Sequence, residues 1–210
     1  MTSIHGVNPK RWFYALKTAF AERDAWTVFS GAACEQWINA ELFRIVVKNL
    51  NSNLTAYTEA AKIDLTIHKV ETVGKTKKID WKNPLVILEN KVIYENYYPS
   101  RRKNYFFKLI DQLRAKKNVT SECQRIGFYI GIYANWSLDK KHIQTKGKFD
   151  EFRKKLGEEF QSWTMESFGE FKINYDHKGC METLLEFKTI KNGGISVDVG
   201  AVGQYFRLSK

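Results

Sequence analysis

The sequence is poor in residues that divide a chain into separate units. It contains only three prolines among 210 residues, and no segment rich in glycine, serine and proline marks a linker. A chain of this length is able to bury one well-formed hydrophobic core. We therefore expect a single domain over residues 1–210.

Cysteine and long apolar segments are also scarce. The cysteines Cys34, Cys123 and Cys180 are odd in number and far apart, which argues against a disulfide framework and predicts reduced thiols. No segment approaches the roughly 20 apolar residues that a membrane-spanning helix needs. These absences predict a cytoplasmic protein with no membrane partner.

Acidic residues are outnumbered by basic ones. The chain has 34 Lys and Arg against 23 Asp and Glu, so its net charge is +11 and its pI is about 9.5. Such a surplus favours polyanionic partners, nucleic acid first, although it can also serve solubility alone. Residues 101–117 concentrate it, with seven basic residues against the single acid Asp111 and aromatic residues interleaved.

Hydrophobic patterns predict helices that alternate with strands. The predicted helices cover residues 8–24, 30–49, 104–117 and 147–162. The predicted strands cover residues 54–59, 62–70, 85–94 and 125–133, and then 170–175, 183–190, 195–199 and 204–208 around a turn at 192–194. This order predicts an α/β sandwich with an added C-terminal α+β element over about residues 147–210.

Two predicted strands carry charged residues among apolar neighbours. Glu89 and Lys91 interrupt LVILENKVIY, and Asp64 interrupts KIDLTIHKV. Because strand side chains alternate between faces, Glu89 and Lys91 project from the same face. A buried charge must be paired or metal-bound, so we consider either a structural ion pair on an exposed edge or a bound cation. If a neighbouring strand brings Asp64 beside Glu89, the oxygen ligands suit Mg²⁺.

The combination of Asp64 with Glu89-Asn90-Lys91 resembles the motif of the PD-(D/E)XK nuclease superfamily, which has the restriction-endonuclease-like fold. The order of elements over about residues 30–134 is also similar: a helix, a hairpin with Asp and then E-x-K, a helix and a further strand. The resemblance implies a mixed central sheet flanked by helices. Two features depart from the pattern, because Ile63 replaces the usual proline and Asp80 is a rival for the role of Asp64.

The resemblance also implies roles for the motif residues. Asp64 and Glu89 would hold Mg²⁺, which Mn²⁺ can replace, with the backbone carbonyl of Asn90 as a further ligand. Lys91 would position the attacking water for in-line hydrolysis of a phosphodiester bond.

Two side chains outside the motif extend this interpretation. Glu35, in the helix before the hairpin, is expected to point inward as an accessory metal ligand or water-organising residue. Glu41 shares a helix face with Arg44 and is expected to be solvated. Gln112, inside the basic helix, either faces the site, as in relatives, or lies on the surface.

Other residues are candidates for contacts with DNA. Arg101, Arg102 and Lys103 are expected in a loop after Pro99, where they would bind the phosphate backbone without reading sequence. Lys108 would add a contact from the basic helix. The neighbouring pair Tyr97-Tyr98 either stacks on bases or packs in the core.

The leading hypothesis is a Mg²⁺-dependent endonuclease that cuts double-stranded DNA, most like a type II restriction endonuclease. The resemblance implies a homodimer. A DNA repair, recombination or junction-resolving nuclease of the same fold is an alternative, and so is a non-catalytic basic nucleic-acid-binding module. RNA also stays open as the substrate, and the C-terminal β region either reads a groove or forms a dimer contact.

Overall fold

A computed structural model describes residues 7–22, 34–58, 64–115, 119–120, 122–137, 146–175, 181–192 and 195–210. In these residues the helices are α1 (Pro9–Glu22), α2 (Cys34–Asn49), α3 (Pro99–Ala115) and α4 (Lys146–Thr164). The strands are β1 (Leu54–Thr58), β2 (Leu65–Val73), β3 (Thr76–Ile79), β4 (Val86–Tyr94), β5 (Gln124–Ser137), β6 (Lys172–Asn174), β7 (Glu182–Asn192) and β8 (Ile195–Ser209). Of the residues discussed above, Ile63, Cys180, Gly193 and Gly194 lie outside the described residues.

The strands form one eight-stranded sheet in the order β1-β2-β4-β5-β8-β6, with β3 paired to β2 and β7 paired to β8. The β4–β5 pair is parallel, whereas the other pairs among the described strands are antiparallel. Helix α3 supplies the crossover that a parallel connection requires. The expectation of a mixed α/β sheet flanked by helices is confirmed.

The central strands are apolar on both faces because helices cover both. Leu88 of β4 belongs to the core formed with α1 and α2, while its neighbour Ile87 belongs to the core formed with α3 and α4. A strand covered on both sides has a nearly continuous apolar sequence, as β4 does. Glu89 and Lys91 therefore interrupt a strand that is buried between two layers.

The C-terminal region, predicted as an added α+β element, consists of α4 and three strands, and these strands join the central sheet. Strand β8 pairs with β5 from Arg125↔Leu208 to Ser137↔Ser196. The two strands predicted over 195–199 and 204–208 are one strand, since the glycines between them do not break it. A Cβ at Gly200 would lie 2.5 Å from the Phe149 ring, so glycine admits the close packing of α4 on β8.

Two further features of the described residues concern the cysteines and the length of the helices. Cys34 and Cys123 are buried reduced thiols. Burial, helped by the charge of Glu35, raises the pKa of Cys34 to about 12, so this thiol stays protonated. No helix in the described part of the chain is both long enough and apolar enough to cross a membrane.

Candidate active site

Strands β2 and β4 bring the two predicted metal ligands together. Their antiparallel register pairs Thr66 with Ile87 and Leu65 with Leu88, so Asp64, directly before β2, lies across from Glu89. The two carboxylates are far apart in the sequence, and the pairing of β2 with β4 brings them close together in space. The site lies where β2 begins and where β4 passes between α2 and α3.

Two asparagines hold the Asp64 carboxylate. Its Oδ2 accepts hydrogen bonds from the backbone N–H of Asn90 (2.7 Å) and from the Asn90 side-chain amide (3.2 Å). Its Oδ1 accepts a hydrogen bond from Nδ2 of Asn39 (3.2 Å), and the Asn90 amide also donates to Asn39. These contacts fix the orientation of Asp64. Asn90 therefore serves the site as a donor, while the predicted role of its carbonyl stays a prediction.

Asn39 was missed in the sequence analysis. It lies four residues after Glu35, which places both side chains on the same face of α2. This spacing is a signal that the sequence contains. It has no meaning, however, until α2 is known to pack beside Asp64.

Glu89 is buried, and its neighbour in the site is Asp64. Its exposed fraction is 0%, and among the described residues neither carboxylate oxygen has a well-aligned hydrogen-bond partner, although contacts with the backbone and side chain of Asp64 act on its pKa. Burial and the negative charge of Asp64 raise the pKa of Glu89 to about 8, although Lys91 acts in the opposite direction. An unpaired buried acceptor is costly. A divalent cation between the two carboxylates would relieve both the repulsion and the missing contacts.

Lys91 is held by Glu35. Its Nζ lies 3.3 Å from Oε1 of Glu35, and its side chain is 11% exposed against 38% for Glu35. Glu35 lies in the first turn of α2 and joins the site through this contact. The pair places a largely buried ammonium next to Glu89, with a partly open carboxylate on its outer side.

Glu41 is not solvated, so that expectation is wrong. Its exposed fraction is 5%, and it accepts hydrogen bonds from the guanidinium of Arg44, one at 2.8 Å. Arg44, one helical turn later, neutralises the carboxylate and thereby permits its burial. Glu41 is thus a structural residue of α2.

Asp80, the rival for Asp64, also has a structural role. Its carboxylate accepts hydrogen bonds from the backbone N–H groups of Lys82 and Asn83 and from the Asn83 amide. These contacts, led by the Asn83 side chain, lower its pKa. Asp80 therefore stabilises the turn before β4, and Asp64 is the carboxylate at the site.

The carboxylates of Asp64 and Glu89 suit Mg²⁺ as a pair of protein ligands that needs further ligands from water and substrate. Among the described residues no group of three or more His, Cys, Asp or Glu side chains is arranged to hold a metal. Mg²⁺ usually keeps several waters and is bound by one or two carboxylates together with substrate phosphates. Asp64 and Glu89 satisfy that requirement, and the orphaned oxygens of Glu89 provide the structural reason to expect a cation.

The basic residues after Pro99 lie in α3 and not in a loop. Proline is favoured at the first helical position because it has no N–H to satisfy there, so the helix begins earlier than predicted. Arg102 is 4% exposed and pairs with Glu159 of α4, with Nε to Oε2 at 2.8 Å. It also donates to the carbonyl of Tyr97. Its assignment to DNA phosphates is therefore wrong.

The other residues predicted to contact DNA differ in their exposure and in their pairing with acidic residues. Arg101 and Lys108 are exposed, whereas Lys103 pairs with Glu166 at 2.8 Å. Gln112 is half-buried and its Oε1 has no hydrogen-bond partner among the described residues. No hydrogen bond found in the described residues joins Gln112 to the two acids, so its place in the site stays a prediction.

No protein-family model, curated protein or solved structure matches this chain. The resemblance to the PD-(D/E)XK nucleases therefore depends on Asp64, Glu89 and Lys91 and on the elements that carry them.

Proposed function

We propose that the protein is a Mg²⁺-dependent endonuclease that hydrolyses phosphodiester bonds in double-stranded DNA, most like a type II restriction endonuclease. The observation that carries this proposal is the buried Glu89 carboxylate, which lies beside Asp64 and has no hydrogen-bond donor other than Asp64 among the described residues. The net charge of +11 supports a polyanionic substrate.

Asp64 and Glu89 would hold the Mg²⁺, and the amides of Asn39 and Asn90 would keep the Asp64 carboxylate oriented. The bound Mg²⁺ would supply positive charge against the charge that develops on the phosphate. Asp64 cannot turn away from this position without losing its three hydrogen bonds. Orientation of the ligands is thus provided by the protein before any metal binds.

Lys91 would act on the substrate directly. Its ammonium is largely buried, so its interaction with a developing negative charge is stronger than it would be in water. Its Nζ would donate a hydrogen bond to the attacking water or to a phosphate oxygen. Glu35 would hold Nζ in place and, because it is partly exposed, would offer an acceptor for that water.

A structural Glu89–Lys91 pair is the main competing interpretation and would suit a non-catalytic nucleic-acid-binding module. The salt bridge of Lys91 is with Glu35, and both oxygens of Glu89 lack donors in the described residues. A structural pair would satisfy both partners, so the geometry favours the catalytic interpretation. A homodimer and a cytoplasmic setting also belong to the proposal, and the reduced buried thiols suit the latter.

The test is a digest of long, mixed-sequence duplex DNA with and without Mg²⁺. Wild-type protein should cut only with Mg²⁺, and discrete bands would indicate sequence specificity. Lys91→Ala should lower the cleavage rate by about 100-fold or more while DNA binding persists. Lys154→Ala, which changes an exposed lysine of α4, is the matched control. Normal cleavage by the Lys91→Ala protein would overturn the assignment.

A further inference from the structure

An aromatic cluster lies at the start of α3, beside the Lys91–Glu35 pair. We call Tyr94, Tyr97, Tyr105 and Arg101 the tyrosine cluster. The ring centroids of Tyr94 and Tyr97 are 5.6 Å apart, and those of Tyr97 and Tyr105 are 5.7 Å apart. The guanidinium carbon of Arg101 lies 3.8 Å from the Tyr97 centroid and 5.8 Å from the Tyr105 centroid.

The tyrosine cluster adjoins the candidate active site. Tyr94 follows Lys91 by three residues on β4, so the two side chains leave opposite faces of the strand and Glu35 is what links the cluster to the site. Burial is the main cause of the raised pKa of Tyr94, about 12, and of the raised pKa of Tyr97, but the negative charge of Glu35 contributes to both. Glu35 therefore lies near the cluster on one side and contacts Lys91 on the other.

Arg101 presents an unneutralised guanidinium. It is exposed, and none of the acids in the described residues lies within salt-bridge distance of it. Its guanidinium carbon lies over the Tyr97 ring, and the residue as a whole is exposed. By contrast Arg102, Lys103 and Arg114 of the same helix all pair with carboxylates.

Tyr98 adds an open aromatic ring. Its exposed fraction is 79%, the largest among the exposed large hydrophobic residues of the described chain. Its backbone is nevertheless fixed, because its carbonyl accepts the N–H of Arg102 at 3.0 Å while the Arg102 guanidinium holds the carbonyl of Tyr97. The ring is thus carried on a rigid turn, so a stacked ligand would cost little backbone entropy.

We propose that Tyr98 and the Arg101–Tyr97 stack form a subsite for an unpaired nucleotide next to the scissile phosphate. The substrate class would then be DNA with a single-stranded segment beside the cleavage point, such as a fork, a flap or an overhang. This inference rests on the proposed nuclease function. It deepens that function, because the described cleavage site would act where duplex and single strand meet.

The physical reason is the availability of base faces. In a continuous duplex each base is stacked on both sides, so a flat side chain has no base face to contact. An unpaired base exposes its faces, and aromatic or guanidinium groups bind them without sequence preference. A purely duplex-binding α3 would instead require free cations along its length, but three of its five described basic residues are engaged by acids.

The experiment measures binding without metal, so that cleavage does not interfere. The probes are a blunt duplex and a fork of the same paired sequence, with 2-aminopurine at the first unpaired position of the fork, in buffer with EDTA. Wild-type protein should bind the fork about tenfold more tightly and change the 2-aminopurine fluorescence. Tyr98→Ala should remove most of that preference and leave the affinity for the blunt duplex unchanged.

Two further variants separate stacking from charge and from general surface effects. Arg101→Lys keeps the charge and loses the planar group, so it should also weaken binding to the fork. Tyr14→Ala changes another exposed tyrosine, on α1, and should leave the preference intact. Equal wild-type affinity for both probes, or a preference that survives Tyr98→Ala and Arg101→Lys, would overturn the subsite.

Cleavage in Mg²⁺ distinguishes this failure from failure of the nuclease proposal. A protein that prefers forks but never cuts them retains the subsite and loses the proposed function. A protein that cuts blunt duplex and shows no preference for forks retains the function and loses the subsite.

Discussion

Glu89 and Glu159 are both shielded from solvent, but the charges around their carboxylates are opposite. Glu159 receives two hydrogen bonds from the guanidinium of Arg102, whose side chain is itself buried. Glu89 receives none from the described residues and lies against a second carboxylate, Asp64. The first arrangement is complete in the folded chain. The second leaves two carboxylates side by side, an arrangement that a bound proton or a bound cation would stabilise.

The Glu159→Gln variant should show the largest effect, because it leaves Arg102 buried without a counter-charge. Removing one partner of a buried ion pair costs about 3–5 kcal/mol, so the free energy of unfolding should fall by roughly that amount in urea titrations. Glu158→Gln, at the exposed neighbouring position of α4, is the control and should change stability very little. A loss below about 1 kcal/mol would show that the pair is not the structural contact we describe.

The Glu89→Gln variant should change stability in the opposite direction. The amide keeps the shape of the side chain and removes the charge, so the metal-free protein at pH 8 should gain on the order of 3 kcal/mol. The increase in unfolding midpoint that we expect Mg²⁺ to cause in wild-type protein should disappear, together with the proposed cleavage. A variant that is destabilised and still takes up Mg²⁺ in calorimetry would make Glu89 a structural residue.

The raised pKa of Glu89 sets the pH dependence of the metal-free protein. Its ordinary value is 4.5 and its value in the fold is about 8, so between these pH values the folded chain holds a proton that the unfolded chain has released. Stability from this group is therefore fully present below pH 4.5 and declines as pH rises towards 8. From pH 5 to pH 7 the loss should be on the order of 2 kcal/mol.

The measurement is a series of urea titrations between pH 5 and pH 8 in EDTA, on wild-type and Glu89→Gln proteins. The difference between the two proteins isolates the contribution of Glu89 from that of other titrating groups. Equal slopes for the two proteins would contradict the assignment. Saturating Mg²⁺ should flatten the wild-type slope, because the cation favours the ionised carboxylate in the fold.

The local elements of this fold could be predicted from the sequence, but the long-range pairing could not. Strand β4 was expected over 85–94 and lies at Val86–Tyr94, because a continuous apolar run is a strong local signal. The place of β8 beside β5 depends on contacts between residues such as Arg125 and Leu208, which no periodic pattern encodes. The C-terminal helix and strands could therefore be predicted, but their place in the central sheet could not.

The candidate site likewise contains some residues that the sequence indicates and others whose role depends on long-range packing. Asp64, Glu89 and Lys91 stand out in the sequence because burying a charge inside an apolar strand costs free energy. Such a charge can be recognised without knowledge of the structure. Arg102 looked identical to Arg101 in sequence, since both are basic residues after a proline. Their fates differ because α3 packs against α4, where Glu159 meets Arg102 but not its neighbour.

The smallest expected effect concerns Asn39, which supports Asp64 from α2. Asn39→Ala removes one hydrogen bond to the carboxylate and one of the two acceptors of the Asn90 amide, so Asp64 should lose orientation without losing charge. Affinity for Mg²⁺, measured by calorimetry, should fall about tenfold, as is usual when a residue that orients a metal ligand is removed. Gln36→Ala, at an exposed position of the same helix, should leave it unchanged. Equal affinities of the two proteins for Mg²⁺ would show that Asn39 has a purely structural role, as the Arg102–Glu159 pair does.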